Sequence, residues 1–244
     1  MTWLEKIVCT NDEKQELKEW CEYIGYSSYE KLYDLISKYT KNKQIEFSCL
    51  KSVAKYDFHL SEVYYSMIKL IELRFRSFLI NNYGKTNISK SEYLYQISES
   101  LNGGHKRLDC STYYDKKLGD NTTLANFLEE AGMETLWRVF QILPDEQLKV
   151  FNSDIKSLKK DLERIRELRN HVYHGQVLLG NDKFSTKETF IVLLRYMPNQ
   201  ETRNKRINAL KELNEQLFGA ENIAVKDIKK HVIIELNESD YNAI

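Results

Sequence analysis

Apolar side chains recur at helical spacing between Ser61 and Leu79. Steps of three and four residues place them on one side of an α-helix, so the pattern predicts an amphipathic helix facing the core of a bundle. Ser61 is a suitable N-cap because its hydroxyl can accept a hydrogen bond from a backbone N–H of the first turn. The apolar positions are Tyr64, Ile68, Ile71, Phe75, Phe78 and Leu79.

A second and more regular apolar seam begins near Asn152 or Ser153. It predicts a long amphipathic helix. Gly175 is a stop signal, because glycine readily adopts the left-handed conformation found at helix ends. We therefore expect His174 to lie at or beside the end of this helix. The apolar positions of the seam are Ile155, Leu158, Leu162, Ile165, Leu168 and Val172.

Residues 12–42 have the pattern of short helices with interleaved aromatic side chains. We expect these rings to pack a small helical subdomain, and a platform on which nucleic-acid bases stack is the alternative. The aromatic residues are Trp20, Tyr23, Tyr26, Tyr29 and Tyr33.

Turn-forming residues divide the rest of the chain into shorter segments. Residues 82–121 are predicted to be irregular, with one helix near Ser91 to Leu101. The segment from Lys229 to Glu235 fits either a short strand or the end of a helix. Further helices are predicted from Thr122 or Thr123 to Phe127, Met133 to Ile142, Lys187 to Tyr196 and Glu201 to Leu217, with breaks at Gly132, Pro144, Pro198 and Gly219.

Composition supports the helical interpretation. The 244 residues include only 2 Pro and 9 Gly, which favours long helices over a sheet rich in tight turns. We therefore predict an all-α protein in three parts. These are an N-terminal helical subdomain over 1–55, a helical core over 56–218 with its irregular insert, and a C-terminal extension over 219–244.

Charge and cysteine content limit the classes of function that the chain can have. Lys and Arg total 36, as do Asp and Glu, so the chain lacks the overall positive field of many nucleic-acid binders and any basic groove must be local. None of the four cysteines has zinc-ligand spacing, and we expect reduced thiols. With no apolar run of about 20 residues, the prediction is a cytoplasmic protein away from membranes, with no metal and no cofactor.

The segment Arg169-Asn170-His171-Val172-Tyr173-His174 contains the candidate catalytic residues. Histidine exchanges protons near neutral pH, and arginine can bind a phosphate through two donors and stabilise developing charge. Asparagine can orient the histidine or bind substrate. These groups suffice for metal-independent RNA cleavage, in which the ribose 2′-hydroxyl attacks the adjacent phosphorus and a 2′,3′-cyclic phosphate forms. DNA lacks that hydroxyl and should resist cleavage.

Helix geometry limits how these residues can cooperate. Five residues rotate a side chain by about 140°, so Arg169 and His174 do not share one face, whereas Asn170 and His174 do. All three can meet one phosphate if the helix end distorts. The alternative is a two-fold dimer that pairs the ends of two such helices.

The motif resembles that of HEPN ribonucleases, in which an arginine and a polar residue precede a histidine four to six positions after the arginine. In the Abi-like branch, found in abortive-infection phage defence and toxin systems, an early helix carries an acidic residue followed by Leu-Arg. Ile71-Glu72-Leu73-Arg74 resembles this feature, and the helices after the motif are similar to those of the branch. Gly175-Gln176-Val177-Leu178-Leu179-Gly180 departs from the branch's aromatic-Asn-Arg continuation, which puts the subfamily in question more than the enzyme class.

The resemblance implies a HEPN-like helical bundle, a homodimer with both motifs at a shared cleft, RNA as substrate, and an antitoxin or defence-system partner. It assigns Arg169, Asn170 and His174 as catalytic residues. Substrate contacts are predicted for three further residues, His171, Arg166 and Lys160.

Each assignment has a plainer alternative. His174 can be a helix C-cap, His171 an exposed helical residue, and the basic residues around Lys160 a solvated helix face. For Glu72 we favour a buried structural contact over a catalytic role. At the level of function, the alternatives are a catalytically silent HEPN-type binding or regulatory module, and a structural helical protein in which the motif is coincidental.

Overall fold

The computed structural model describes residues 3–40, 44–85, 87–89, 121–130, 132–143, 145–152, 154–181, 185–218, 228–229, 231–242 and 244. These residues form an all-α protein, as predicted. The helices are α1 (Asn11–Ile24), α2 (Tyr26–Tyr39), α3 (Phe47–Tyr83), α4 (Leu124–Glu130), α5 (Met133–Ile142), α6 (Asp145–Leu148), α7 (Ile155–Tyr173), α8 (Thr186–Arg195), α9 (Gln200–Phe218) and α10 (Glu238–Asn242), with a 3₁₀ helix over Trp3–Lys6.

Two pairs of short strands accompany the helices. β1 (Ile7–Val8) runs parallel to β2 (Ile45–Glu46). β3 (Asn87–Ser89) runs antiparallel to β4 (Asn121–Thr123). Within the described residues, no helix is both long enough and apolar enough to cross a membrane.

The chain divides into two compact units, and both of its division points fall inside long helices. The first unit comprises Met1–Met67 and Arg169–Ile244, and the second comprises Ile68–Leu168. α3 and α7 therefore each contribute to both units. The division into three segments stays a prediction.

Aromatic side chains of the N-terminal helices pack against one another in the first unit. Trp20 packs against Tyr29 with ring centroids 6.0 Å apart and against Phe47 at 6.5 Å. Trp3 packs against Tyr33 at 5.9 Å. The packing role predicted for Trp20, Tyr29 and Tyr33 is therefore confirmed, while Tyr23 and Tyr26 are exposed.

A ring of hydrogen bonds holds the C-terminal segment of the first unit to α3. The buried Tyr56 hydroxyl donates to Asn214 Oδ1 (2.7 Å) and accepts from the Ile234 N–H (3.2 Å). Asn214 Nδ2 donates to the Ile234 carbonyl at 3.0 Å, which closes the ring. Each buried polar group in it is therefore satisfied.

We expect Tyr56→Phe to lower the free energy of unfolding by about 1–3 kcal/mol, because it leaves the buried Ile234 N–H without its acceptor. Urea denaturation measures this loss. Tyr29→Phe is the matched control, since the buried Tyr29 hydroxyl has no hydrogen-bond partner among the described residues, and its removal should be neutral or stabilising. Equal losses for the two variants would contradict the prediction.

Four phenylalanines form the core cluster of the second unit. Phe75 packs against Phe140 with ring centroids 4.8 Å apart and against Phe151 at 4.9 Å, and Phe78 lies 4.8 Å from Phe151. The buried Glu72 lies 4.0 Å from Lys69 Nζ, which supports a structural role for its carboxylate.

The predicted start of the first long helix is wrong. α3 begins at Phe47, and Ser61 lies inside it, where its hydroxyl donates to the Phe58 carbonyl (2.6 Å) instead of capping the helix. The reason is that buried apolar residues continue the helical spacing towards the N-terminus. They include Leu50, Val53 and Leu60.

The other element predictions are largely confirmed. The helix Met133–Ile142 has its predicted bounds, and the helices Thr186–Arg195 and Gln200–Phe218 begin one residue earlier than expected. α7 begins at Ile155, where Asp154 Oδ1 accepts from the Ser157 N–H, slightly later than predicted. β3 lies within the segment predicted as irregular and pairs with β4, which begins at the last residue of that segment. Thr122 and Thr123, the predicted alternative starts of the next helix, lie in β4, and α4 instead begins at Leu124 and ends at Glu130. The helix predicted near Ser91 to Leu101 lies outside the described residues.

Candidate active site

α7 ends in a Schellman motif. Gly175 adopts a left-handed φ of 60°, and its N–H donates to the Val172 carbonyl (3.2 Å). The Gln176 N–H donates to the His171 carbonyl at 2.9 Å, so the carbonyls of His171 and Val172 are satisfied. The predicted stop at Gly175 is confirmed, and His174 is the last residue before it.

Arg169 extends along the helix towards this end. Its Cζ lies 4.1 Å from the ring centroid of Tyr173, a cation–π contact across one helical turn. Its Nη1 lies 3.4 Å from Asn170 Oδ1. The structure therefore brings together Arg169 and Asn170, two of the predicted catalytic residues.

His174 presents an exposed imidazole at the helix end. Its backbone N–H donates to the Asn170 carbonyl at 3.1 Å, so helical hydrogen bonding continues as far as this residue. Across the described part of the chain, the imidazole forms no hydrogen bond or ion pair with Arg169 or Asn170. The ring is therefore open to a ligand from solvent.

The other predicted RNA-binding residues differ in their surroundings. His171 is partly exposed, and its carbonyl belongs to the Schellman motif. Lys160 and Arg166 belong to the second unit, where Arg166 forms an ion pair with Glu163. Lys160 is exposed and has no ion pair among the described residues. Substrate contacts by these three residues stay a prediction.

Two lysines near Lys160 on the surface of the second unit are paired with acids. Lys159 Nζ lies 2.9 Å from Asp145, and Lys149 Nζ lies 2.7 Å from Glu146. Exposed ion pairs of this kind contribute only about 0–1 kcal/mol each. This favours a solvated helix face for these lysines, although a phosphate can displace such partners at low cost.

Asp57 anchors the segment that follows the Schellman motif. Its Oδ1 accepts from the N–H of Leu178 (3.0 Å) and the N–H of Leu179 (2.7 Å), and all three residues are buried. Burial raises the pKa of Asp57 to about 7, and the two hydrogen bonds only partly oppose this effect. One carboxyl group of α3 thus satisfies two buried backbone N–H groups of this segment.

Two residues of this region were missed by the sequence analysis. Asp57 lies three positions before the buried Leu60 and seven before Tyr64, so a carboxyl group on an apolar helix face was an available signal. Tyr65 contacts Tyr173, with ring centroids 5.8 Å apart. The sequence contains no comparable signal for Tyr65, because this residue lies outside the apolar stripe predicted between Ser61 and Leu79.

The described residues contain no cluster of three or more His, Cys, Asp or Glu side chains arranged to hold a metal ion. Cys9, Cys21 and Cys49 are free thiols, and burial raises the pKa values of Cys21 and Cys49 to about 11. These two thiols are therefore poor nucleophiles and metal ligands near neutral pH.

Comparison with known proteins adds no further identification. The chain matches no protein-family model, no curated protein and no solved structure.

We expect Gly175→Ala to lower the free energy of unfolding by about 1–2 kcal/mol, because a Cβ disfavours the left-handed conformation at this position. Apart from the adjacent residues of the chain, no atom of the described residues lies within 4 Å of the added Cβ, so the loss reports backbone strain and not a clash. Gly175→Asn should lose less, since asparagine tolerates this conformation better. Thermal or urea unfolding compares the variants, and equal losses for alanine and asparagine would contradict this explanation.

Proposed function

We propose that this chain is a metal-independent endoribonuclease of the HEPN type. The observation that carries the proposal is the end of α7, where an exposed histidine follows an arginine and an asparagine that are in contact. Proton transfer and phosphate binding are the two capacities that cleavage of RNA by its own 2′-hydroxyl requires.

In the proposed reaction, His174 takes the proton of a ribose 2′-hydroxyl as that oxygen bonds to the adjacent phosphorus. The bond between phosphorus and the 5′-oxygen breaks, and the leaving oxygen takes up a proton. Arg169 donates hydrogen bonds to the non-bridging oxygens as their charge develops, and Asn170 orients the substrate or the imidazole. The products are a 2′,3′-cyclic phosphate and a 5′-hydroxyl.

The proposal includes a homodimer. The backbone hydrogen bonds are helical up to the His174 N–H, so the helix end is not distorted. Arg169 and His174 therefore stay about 140° apart around the helix axis. A two-fold pairing of helix ends supplies the histidine of one copy and the arginine of the other to one phosphate. The regular helix end supports this arrangement over a site built within one chain.

A role in abortive-infection defence or as a toxin, an antitoxin or defence-system partner, and a cytoplasmic location follow from the resemblance to the Abi-like branch. The motif Arg169-Asn170-His171-Val172-Tyr173-His174 is its most specific part. Growth arrest on expression of the wild-type chain, absent for the His174→Ala variant, is the expected result if the chain acts as a toxin.

The deciding experiment incubates the purified chain with total RNA and with tRNA in EDTA and then analyses the new ends. Cleavage with 2′,3′-cyclic phosphate ends, and no cleavage of a DNA oligonucleotide of the same sequence, is the expected result. A strict requirement for a divalent ion contradicts the proposal. Intact RNA together with a stable complex with another protein supports the silent binding or regulatory module instead.

A further inference from the structure

Two tyrosines expose their rings beside the end of α7. Tyr173 is 50% exposed and Tyr65 is 39% exposed, and their ring centroids lie 5.8 Å apart at an interplanar angle of 50°. This is the distance of an aromatic pair in contact. Both tyrosines belong to the first unit, and Tyr173 directly precedes the proposed catalytic His174 in sequence.

The guanidinium group of Arg169 extends this aromatic surface. Its Cζ lies 4.1 Å from the Tyr173 centroid, so Arg169, Tyr173 and Tyr65 form a continuous row of planar groups. The row ends at the residue to which we assign phosphate binding. A nucleotide whose phosphate contacts Arg169 would therefore bring a base close to the two rings.

The neighbouring tyrosines of α3 show what a structural role requires. Tyr64 is buried, stacks on Phe190 at 5.9 Å and donates to the Thr186 carbonyl (2.5 Å). Tyr56 is buried in its ring of hydrogen bonds. Tyr65 lies instead on the exposed side of the helix, where its ring is not part of the core.

We propose that Tyr65 and Tyr173 form a stacking platform for a nucleobase of single-stranded RNA next to the phosphate bound by Arg169. The proposal rests on the proposed ribonuclease function and adds two binding residues to it. Aromatic rings bind unpaired bases through their faces, which every base possesses. The platform therefore selects single-stranded over double-stranded RNA and is tolerant of sequence.

The test measures binding of the full-length chain to 12-nucleotide 2′-O-methyl oligonucleotides of each of the four bases by fluorescence anisotropy. Such oligonucleotides lack the attacking hydroxyl and stay intact. Tyr65→Ala should weaken the tightest of these complexes about tenfold, because stacking on an aromatic side chain contributes about that factor or more. Tyr65→Phe should stay within about twofold of wild type, because the ring is retained.

Tyr241→Ala is the matched control, since Tyr241 is 44% exposed on α10, close to the 39% of Tyr65, and has no assigned role. It should bind as wild type does. A cleavable RNA gives a second readout, in which Tyr65→Ala raises KM and leaves kcat nearly unchanged. Tyr65 is preferred to Tyr173 for this test because Tyr173 contacts Arg169.

The outcomes separate the two proposals. If wild type binds the oligonucleotides, Tyr65→Ala does not, and no RNA is cleaved, the platform stands and the ribonuclease proposal fails. If Tyr65→Ala binds and cleaves as wild type does, the platform fails and the ribonuclease proposal stands. Binding to none of the four oligonucleotides also overturns the platform. A loss of oligonucleotide binding in Tyr65→Ala that is accompanied by dissociation of a dimer, measured by sedimentation velocity, overturns it too. Tyr65 would then contact a second copy of the chain.

Discussion

Replacing His174 with alanine is expected to lower the rate of RNA cleavage by about 10²- to 10⁴-fold, the range that a positioned general acid–base contributes. The imidazole is exposed and makes no hydrogen bond with the described residues, so the free energy of unfolding should change by less than about 0.5 kcal/mol. Cleavage of a defined RNA in EDTA, together with urea denaturation, measures both quantities. Arg169→Ala should cause a comparable loss of rate.

His231→Ala is the matched control for this substitution. His231 is an exposed histidine of the same unit, and its ring stacks on Tyr39 with centroids 3.9 Å apart. Its loss removes an imidazole without touching the proposed site, so the rate should equal that of wild type. A His174→Ala protein that cleaves at the wild-type rate would remove the central residue of the proposal.

Mixing the two inactive variants tests whether the site is shared between copies. In a two-fold dimer with composite sites, a heterodimer of Arg169→Ala and His174→Ala chains contains one site in which both residues are intact. Co-expression of the two variants should then recover about a quarter of the wild-type activity, from random pairing and one intact site in each heterodimer. A site built within one chain gives no recovery, because each chain lacks one essential group.

The helix ends show what the sequence can predict. The stop at Gly175 and the bounds Met133–Ile142 follow from glycine, proline and the spacing of apolar residues, all of which act within one or two turns. The start of α3 was placed too late, because Ser61 is an acceptable N-cap taken alone. Only burial of the residues before it shows that the helix continues.

The surroundings of the candidate site could not be predicted in the same way. The motif itself is contiguous in sequence, so its position at a helix end was predictable. Asp57 and the Leu178 N–H are 121 residues apart, and Tyr65 contacts Tyr173 from another helix. Such contacts depend on how distant segments pack, and no local pattern of residues specifies them.

Asp57 is expected to make the stability of the protein fall between about pH 4 and pH 7. Burial raises its folded-state pKa from 3.8 to about 7, so the folded state binds more protons than the unfolded state within this window. The resulting stabilisation is fully present below about pH 4 and is lost as the pH rises through about 7. A shift of this size corresponds to a change on the order of 4 kcal/mol in the free energy of unfolding.

Asp57→Asn isolates this effect. Asparagine retains an oxygen that can accept from the Leu178 and Leu179 N–H groups, but it does not ionise. The difference in unfolding free energy between wild type and this variant should therefore shift in favour of the variant as the pH rises from 5 to 8. Urea denaturation at pH 5, 6.5 and 8 measures the difference, and other titrating groups cancel from it because both chains contain them.

Asp57→Ala separates the charge of this residue from its hydrogen bonds. It leaves two buried N–H groups without an acceptor, and each costs about 1–3 kcal/mol. The alanine variant should therefore be much less stable than the asparagine variant at every pH, whereas both lack the pH dependence of Asp57. Parallel pH profiles for wild type and Asp57→Asn would show that the carboxyl group stays ionised in the folded protein. The backbone beyond His174 would then be held by a buried carboxylate throughout this range.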